Sequence, residues 1–163
     1  MKFIKTIKLK PLIISLLIPL LLGGAVGIFL FVTGSTDIYN EFFKPPFSPP
    51  SWVFPVVWTA LYFLMGISSY LIMTADVSKG RREDALWQYF IQLGVNLVWP
   101  ILFFSFSLRL GAFIWIIVLL TAVIKMFVDF WLISKPAALL QIPYIIWVLF
   151  AAYLNGAIFL LNG

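Results

Sequence analysis

Three side-chain amides, Gln88, Gln92 and Asn96, recur every four residues, and Trp99 and Phe103 continue the same stripe. On a helix that spacing puts all five on one face. Tyr144, Trp147, Ala151 and Asn155 follow one another at spacings of 3, 4 and 4, and Trp58, Tyr62, Met65 and Ser69 at 4, 3 and 4. Two aromatic-rich faces and one amide-bearing face suit a flat amphipathic molecule, whose rings stack on indoles and phenols while amides meet its polar edge. The plainer use of the amides is hydrogen bonding between helices, and of the aromatics an interfacial belt. The belt accounts for Trp52, Trp87, Tyr89 and Tyr144, which fall at expected helix ends. It accounts less well for Trp58 and Trp147, which lie deeper.

Other chemistry is scarce. His and Cys both number 0, so the commonest metal ligand and general base are missing and no familiar nucleophile–base pair can be assembled; no metal ligand and no catalytic residue is assigned. Lys125 and Asp129 stand four apart inside an apolar run. Charges inside a membrane mark function by default, but this spacing favours an intrahelical ion pair near the end of its helix. No unpaired carboxylate is left for a proton-coupled pump.

The elements that must position these residues follow from composition. Of 163 residues, 63% are apolar and 10% charged, against about 45–50% and 25% in soluble domains. Mean hydropathy is +1.09. So few charges cannot keep so much apolar surface in water. A disordered chain, a nucleic-acid-binding domain and a disulfide scaffold are excluded; the bilayer is the expected partner. Apolar runs of about 20 residues, enough for ~30 Å of hydrocarbon, cover residues 11–32, 53–74, 85–106, 110–134 and 137–161. The fold expected is all-α, a single domain of five transmembrane helices with one long loop, 33–52. The start, MKFIKTIKLK before an apolar run, has features of a signal peptide. Its apolar stretch continues through Val32, so it reads as a retained first span. Lys2, Lys5, Lys8, Lys10, Lys79, Arg81, Arg82 and Lys135 flank one side of the spans, and Lys44 and Arg109 the other. That bias places the N-terminus in the cytoplasm, with the long loop and the C-terminus outside. Gly23 with Gly27, and Ala152 with Gly156, allow close helix approach. Such pairs seal contacts within a chain more often than between chains, so a homodimer stays open.

The stretch YNEFFKPPFSPPSWVFPVVW, from Tyr39 to Trp58, contains prolines at 45, 46, 49, 50 and 55. Fixed φ values make it stiff and extended. Its aromatics can lie over the bundle as a lid, with Pro45, Phe47, Pro49 and Trp52 as the lid residues. A proline-rich ligand for a partner's SH3-like groove is the weaker alternative.

Three stretches, KPPFSPPSWVFPVVWTALY, ALWQYFIQLGVNLVWPILFF and PYIIWVLFAAYLNGAI, resemble the signatures of the TspO/MBR family. These are tryptophan-rich sensory proteins related to the mitochondrial translocator protein, or peripheral benzodiazepine receptor. The resemblance runs from Tyr39 to Ile158 and agrees in order, spacing and span count. It implies five packed helices, commonly dimeric, that bind protoporphyrin IX, haem, sterols in some members, and benzodiazepine-site ligands in a pocket beneath the long loop. The family's loop tyrosine matches Tyr39. Trp58 and Tyr62 match the second span, Asn96 and Trp99 the third, and Trp147, Ala151 and Asn155 the fifth. Tyr144 joins them on its helical face.

Two departures qualify what the resemblance implies. Many members have tryptophan before the loop tyrosine, where this chain has Ile38. This departure weakens a light-dependent porphyrin breakdown ascribed to pocket indoles. The chain ends Leu161, Asn162, Gly163, without the basic residue of the animal sterol-recognition segment, so sterol binding through that segment is not expected. With no His or Cys to ligate iron, metal-free porphyrin is expected to bind about as well as haem, as ligand and not as an obligatory cofactor. The reading is therefore a membrane receptor for porphyrins. A small tetrapyrrole transporter comes second and a photo-oxidative enzyme third.

Overall fold

A computed structural model describes residues 7–163; Lys2 and Lys5, counted in the basic flank, lie outside the described residues. Helix α1 spans Leu9–Val32, α2 is a single turn at Ile38–Glu41, and α3 spans Val53–Met73. Helix α4, Lys79–Pro100, runs on into a π-helical turn at Ile101–Ser105. Then come α5 at Arg109–Trp131, a short α6 at Lys135–Leu139 and α7 at Ile142–Asn162. Five stretches are long and apolar enough to cross a membrane, and among the described residues there is no strand.

Helix α5 is the packed centre. Its buried residues, Ala112, Ile116, Leu119, Val123, Met126 and Phe130, recur every three or four positions and face α4 and α7. Each helix sends a side chain to the other's backbone: Gln88 Nε2 of α4 donates to the Ala122 carbonyl at 3.1 Å, and Trp115 Nε1 of α5 to the Val95 carbonyl at 2.8 Å.

Helix α1 is held differently. It buries only Ser15, Pro19, Gly23 and Leu30. Pro19 has no N–H for the Ser15 carbonyl, the group it would normally pair with one turn back. That carbonyl lies against Gly66 of α3, where an added Cβ would stand 2.9 Å from it and 2.8 Å from Leu16 Cα. A Cβ at Gly23 would fall inside the Tyr62 ring. Lipid gives no hydrophobic drive between helices, so such backbone approach supplies the contact. Gly156 similarly abuts Phe113, while Gly27 faces open space.

Two spans are less regular than their hydropathy suggests. Pro100 leaves the Asn96 carbonyl without its helical donor, and the backbone widens so that Phe106 N donates five residues back to the Ile101 carbonyl at 3.1 Å. The last span breaks at Leu140 and Gln141, and α7 restarts with Pro143 in its first turn, where a missing N–H costs little. The Ser134 hydroxyl caps α6 by accepting from Ala137 N.

Candidate ligand-binding site

Above the Gly23 and Gly66 contacts, α1 stands away from α3 and α4 and leaves a cavity of about 430 Å³, within the range of small-molecule sites. Trp58 and Tyr62 of α3 and Asn96 of α4 line it. So do Gly24 and Gly27 of α1, whose missing side chains leave space open to the outer surface. Phe54, Pro100 and Phe104 close the end nearest the loop, with Thr36 and Ser51 as its polar rim. Apart from the Tyr62 phenol, no lining side chain is ionisable.

The tryptophan is held by its neighbours. Trp58 stacks on Tyr62 with ring centroids 5.8 Å apart, tilts against Trp99 at 6.0 Å and meets Tyr144 edge-on at 6.1 Å. The polar floor is one chain of hydrogen bonds. Tyr62 OH donates to Asn96 Oδ1 at 2.8 Å, Asn96 Nδ2 to Tyr144 OH at 2.9 Å, and Tyr144 OH to Gln92 Oε1 at 2.9 Å. An amide oxygen has two lone pairs and the NH2 two hydrogens, so Asn96 keeps one acceptor and one donor position for a ligand.

The other expected residues sit behind this wall. Tyr144 meets the cavity only from behind Asn96 and Trp58. Trp99 stacks on Phe103 at 5.7 Å and donates from Nε1 to Asn155 Oδ1 at 3.2 Å, while Asn155 Nδ2 donates to the Ala151 carbonyl at 2.8 Å. Trp147 packs edge-on against Phe54 at 6.0 Å, and its buried indole N–H has no partner among the described residues. None of Trp99, Tyr144, Trp147, Ala151 and Asn155 lines the cavity.

The loop divides. Tyr39 is buried between Phe54 and Phe104, its hydroxyl donating to the Pro49 carbonyl at 2.9 Å. Burial pushes the Tyr39 phenol above its ordinary pKa, and hydrogen bonding with Ser48 opposes that shift. Phe42 packs on Phe103, and Pro45 is buried. Pro49 is half-buried, whereas Phe47 and Trp52 point outward, 90% and 65% exposed. Phe47 sits in the left-handed region at φ 67°, within a turn closed by Ser48 N to the Pro45 carbonyl. The loop is tied to the end of α7, where the Asn162 amide exchanges two hydrogen bonds of 2.9 Å with the Phe43 backbone. That tie holds Pro45 and Phe47 beside α7, away from the cavity.

Several lining residues carry no signal in helical periodicity: Gly24, Gly27, Phe54, Pro100 and Phe104. Gly24 and Pro100 are visible in the sequence only as a weakness in a helix, and Gly27, read there with Gly23 as a point of close helix approach, faces open space instead. Gln141 shows no pattern either, yet it is fully buried with both amide atoms unpaired among the described residues.

The fold and the cavity define the class, a five-span helical membrane protein with an aromatic, almost uncharged cavity beside its first helix. Residues 15–161 match the TspO/MBR family, and the chain belongs to it. It is 42% identical to the tryptophan-rich protein TspO of Archaeoglobus fulgidus over 152 residues, 93% of this chain and 97% of that one. It is 36% identical to the tryptophan-rich protein TspO of Chlorobaculum tepidum over 124 residues, 76% and 78% of the two chains. It is 35% identical to the translocator protein of Ovis aries over 119 residues, 72% and 70%.

Proposed function

We propose that the protein is an integral membrane receptor for porphyrins, protoporphyrin IX and haem among them, and for similar flat amphipaths. The observation that carries this reading is the cavity beside α1, with the Trp58–Tyr62 stack as an aromatic wall and Asn96 as a polar group in reserve. A ring system stacks on the wall, and its polar substituents reach Asn96 at one end or Thr36 and Ser51 at the other. The open space at Gly24 and Gly27 suits a ligand that arrives dissolved in lipid. A lining whose one ionisable side chain is the Tyr62 phenol favours binding over catalysis. With no His or Cys in the chain, and the Tyr62 hydroxyl engaged by Asn96, the macrocycle and not its metal is what the site recognises. Lys8, Lys10, Lys79, Arg81, Arg82 and Lys135 gather at the end of the bundle away from the long loop, which supports a cytoplasmic N-terminus.

The test is a titration in lipid nanodiscs with protoporphyrin IX and with haem, following quenching of tryptophan fluorescence. Saturable binding is expected, with the two ligands within a few-fold of each other. Gly27→Leu, which fills open space in the cavity, should weaken both about tenfold, or ~1.4 kcal/mol. Non-saturable quenching, equal in wild type and variant, would mean that porphyrin partitions into lipid and would sink the reading. Flux into proteoliposomes then separates a receptor from a carrier.

A further inference from the structure

At the end of the bundle away from the cavity, the first turns of α4 and the last turns of α5 face each other across a groove of about 570 Å³. Four charged side chains line it, Arg81 and Asp84 from α4 and Lys125 and Asp129 from α5. Lys125 Nζ and Asp129 Oδ2 are 2.7 Å apart, with the lysine side chain 62% and the aspartate 29% exposed. Among the described residues Arg81 and Asp84 have no ion-pair partner.

Position says what the groove meets. Lys125 lies six residues before the end of α5, about 9 Å at 1.5 Å per residue, so the groove descends from the helix ends into the apolar level. Exposed Trp87 and Trp131 mark the boundary beside it, with Lys135 Nζ 5.4 Å over the Trp131 ring. Tryptophan and lysine in that arrangement belong to the headgroup layer of a bilayer. Ala85, Leu132 and Ile133 form the groove's apolar lining.

Charge selects the headgroup. Within the groove two cations and two anions cancel, so beyond the pull of the basic residues around it an anionic lipid gains nothing there and meets two carboxylates. A headgroup carrying both charges complements all four side chains, its phosphate taken by Arg81 and Lys125 and its ammonium by Asp84 and Asp129, at the expense of the Lys125–Asp129 contact. Gly80 on the groove wall has open space where a Cβ would stand, which leaves room for the phosphate. A primary ammonium donates three hydrogen bonds; a quaternary one donates none. We propose that this groove is a binding site for a phospholipid with a phosphoethanolamine headgroup, in the leaflet facing the Lys79 and Lys135 loops.

The experiment is native mass spectrometry of the full chain released from nanodiscs made of equal parts phosphatidylethanolamine, phosphatidylcholine and phosphatidylglycerol. Wild type should retain phosphatidylethanolamine several-fold over both others. The double variant Asp84→Asn/Asp129→Asn should lose that preference and shift toward phosphatidylglycerol. Arg81→Gln, an exposed and unpaired position that leaves folding intact, should lower retention of phosphatidylethanolamine by itself. Glu83→Gln removes a charge outside the groove and should leave the wild-type pattern unchanged. Equal retention of the three lipids in wild type, a wild-type preference for phosphatidylglycerol, or a Glu83→Gln shift equal to that of the double variant would each overturn the site.

Discussion

Helices α1 and α5 are nearly equal in length, 24 and 23 residues, and both are strongly apolar, yet they are held in opposite ways. Helix α5 buries a continuous side-chain stripe and takes side-chain hydrogen bonds from or to α4. Helix α1 touches α3 where glycines bring backbone and ring together, and beyond Gly23 it packs back through Val26 and Leu30 around a cavity. In lipid, close packing and not water exclusion decides where helices meet. A glycine contact fixes one level of α1 and leaves the next free to wall a cavity. The α5 side closes down to the groove at its last turns; the α1 side is where an aromatic ligand fits.

The contrast breaks most sharply at Gly66. Its Cβ position lies against the Leu16 and Ser15 backbone, which cannot rotate away. Gly66→Ala should therefore destabilise by about 3 kcal/mol, through overpacking that outweighs the better helix propensity of alanine. Gly94 on α4 is exposed with nothing within 4 Å, so Gly94→Ala should stabilise by ~0.5–1 kcal/mol. Denaturant titration in mixed micelles reads both. If the two substitutions act alike, α1 is not held by its backbone approach to α3.

The second test lies in the wall that both halves share. Asn96→Leu leaves the Tyr62 hydroxyl without its acceptor and removes a donor to Tyr144. It should cost about 1–2 kcal/mol of stability, near the upper end of polar contacts measured in membranes. A change within error would mean that the chain from Tyr62 to Gln92 is replaceable by water, and the wall is softer than its geometry.

These positions also show what sequence can and cannot convey. The amide stripe, the aromatic faces and the five spans were legible because each is periodic within one helix, and periodicity survives without a neighbour. Trp58, Tyr62 and Asn96 lie on such faces, and the structure brings all three to one cavity. Tyr144 and Asn155 share their helix face, but whether a face meets a cavity or another helix depends on what stands opposite. Trp99 and Phe103 stand opposite Asn155 and Phe42, so that part of the stripe is packing. Gly24 and Gly27 line the cavity by lacking side chains, which no pattern of side chains can announce. Pro100 and Pro143 were visible, but a proline signals only a lost donor. The π-helical turn and the break before α7 follow from where the freed carbonyls and the restarted helix pack.

Gln141 sharpens the comparison from the dense side. It is fully buried at the start of α7, and neither amide atom has a partner among the described residues. An unpaired buried amide costs ~1–3 kcal/mol, and methionine has similar length without that demand. Gln141→Met should raise stability by about 1 kcal/mol, at the low end of that cost. A fall instead would show that water bridges the amide and that the dense half contains a hydrated point.

The smallest expected effect tests the roof that joins the two halves. Tyr39 packs between Phe54 and Phe104, both of which line the cavity, and its hydroxyl holds the Pro49 carbonyl. Tyr39→Phe keeps the ring and loses one hydrogen bond, about 0.5–1 kcal/mol. Burial raises the phenol's pKa, so the folded state favours the protonated form that the unfolded chain gives up earlier as pH rises. The hydroxyl's contribution is then constant from neutral pH upward until the ordinary tyrosine pKa of about 10. Above it the unfolded chain ionises first, and the advantage of wild type over Tyr39→Phe narrows. Melting curves of the two proteins between pH 7 and 11 measure the difference directly, with the remaining tyrosines common to both. A gap that stays constant to pH 11 would place the Tyr39 hydroxyl in water, and the roof over the cavity would then rest on the packed ring alone.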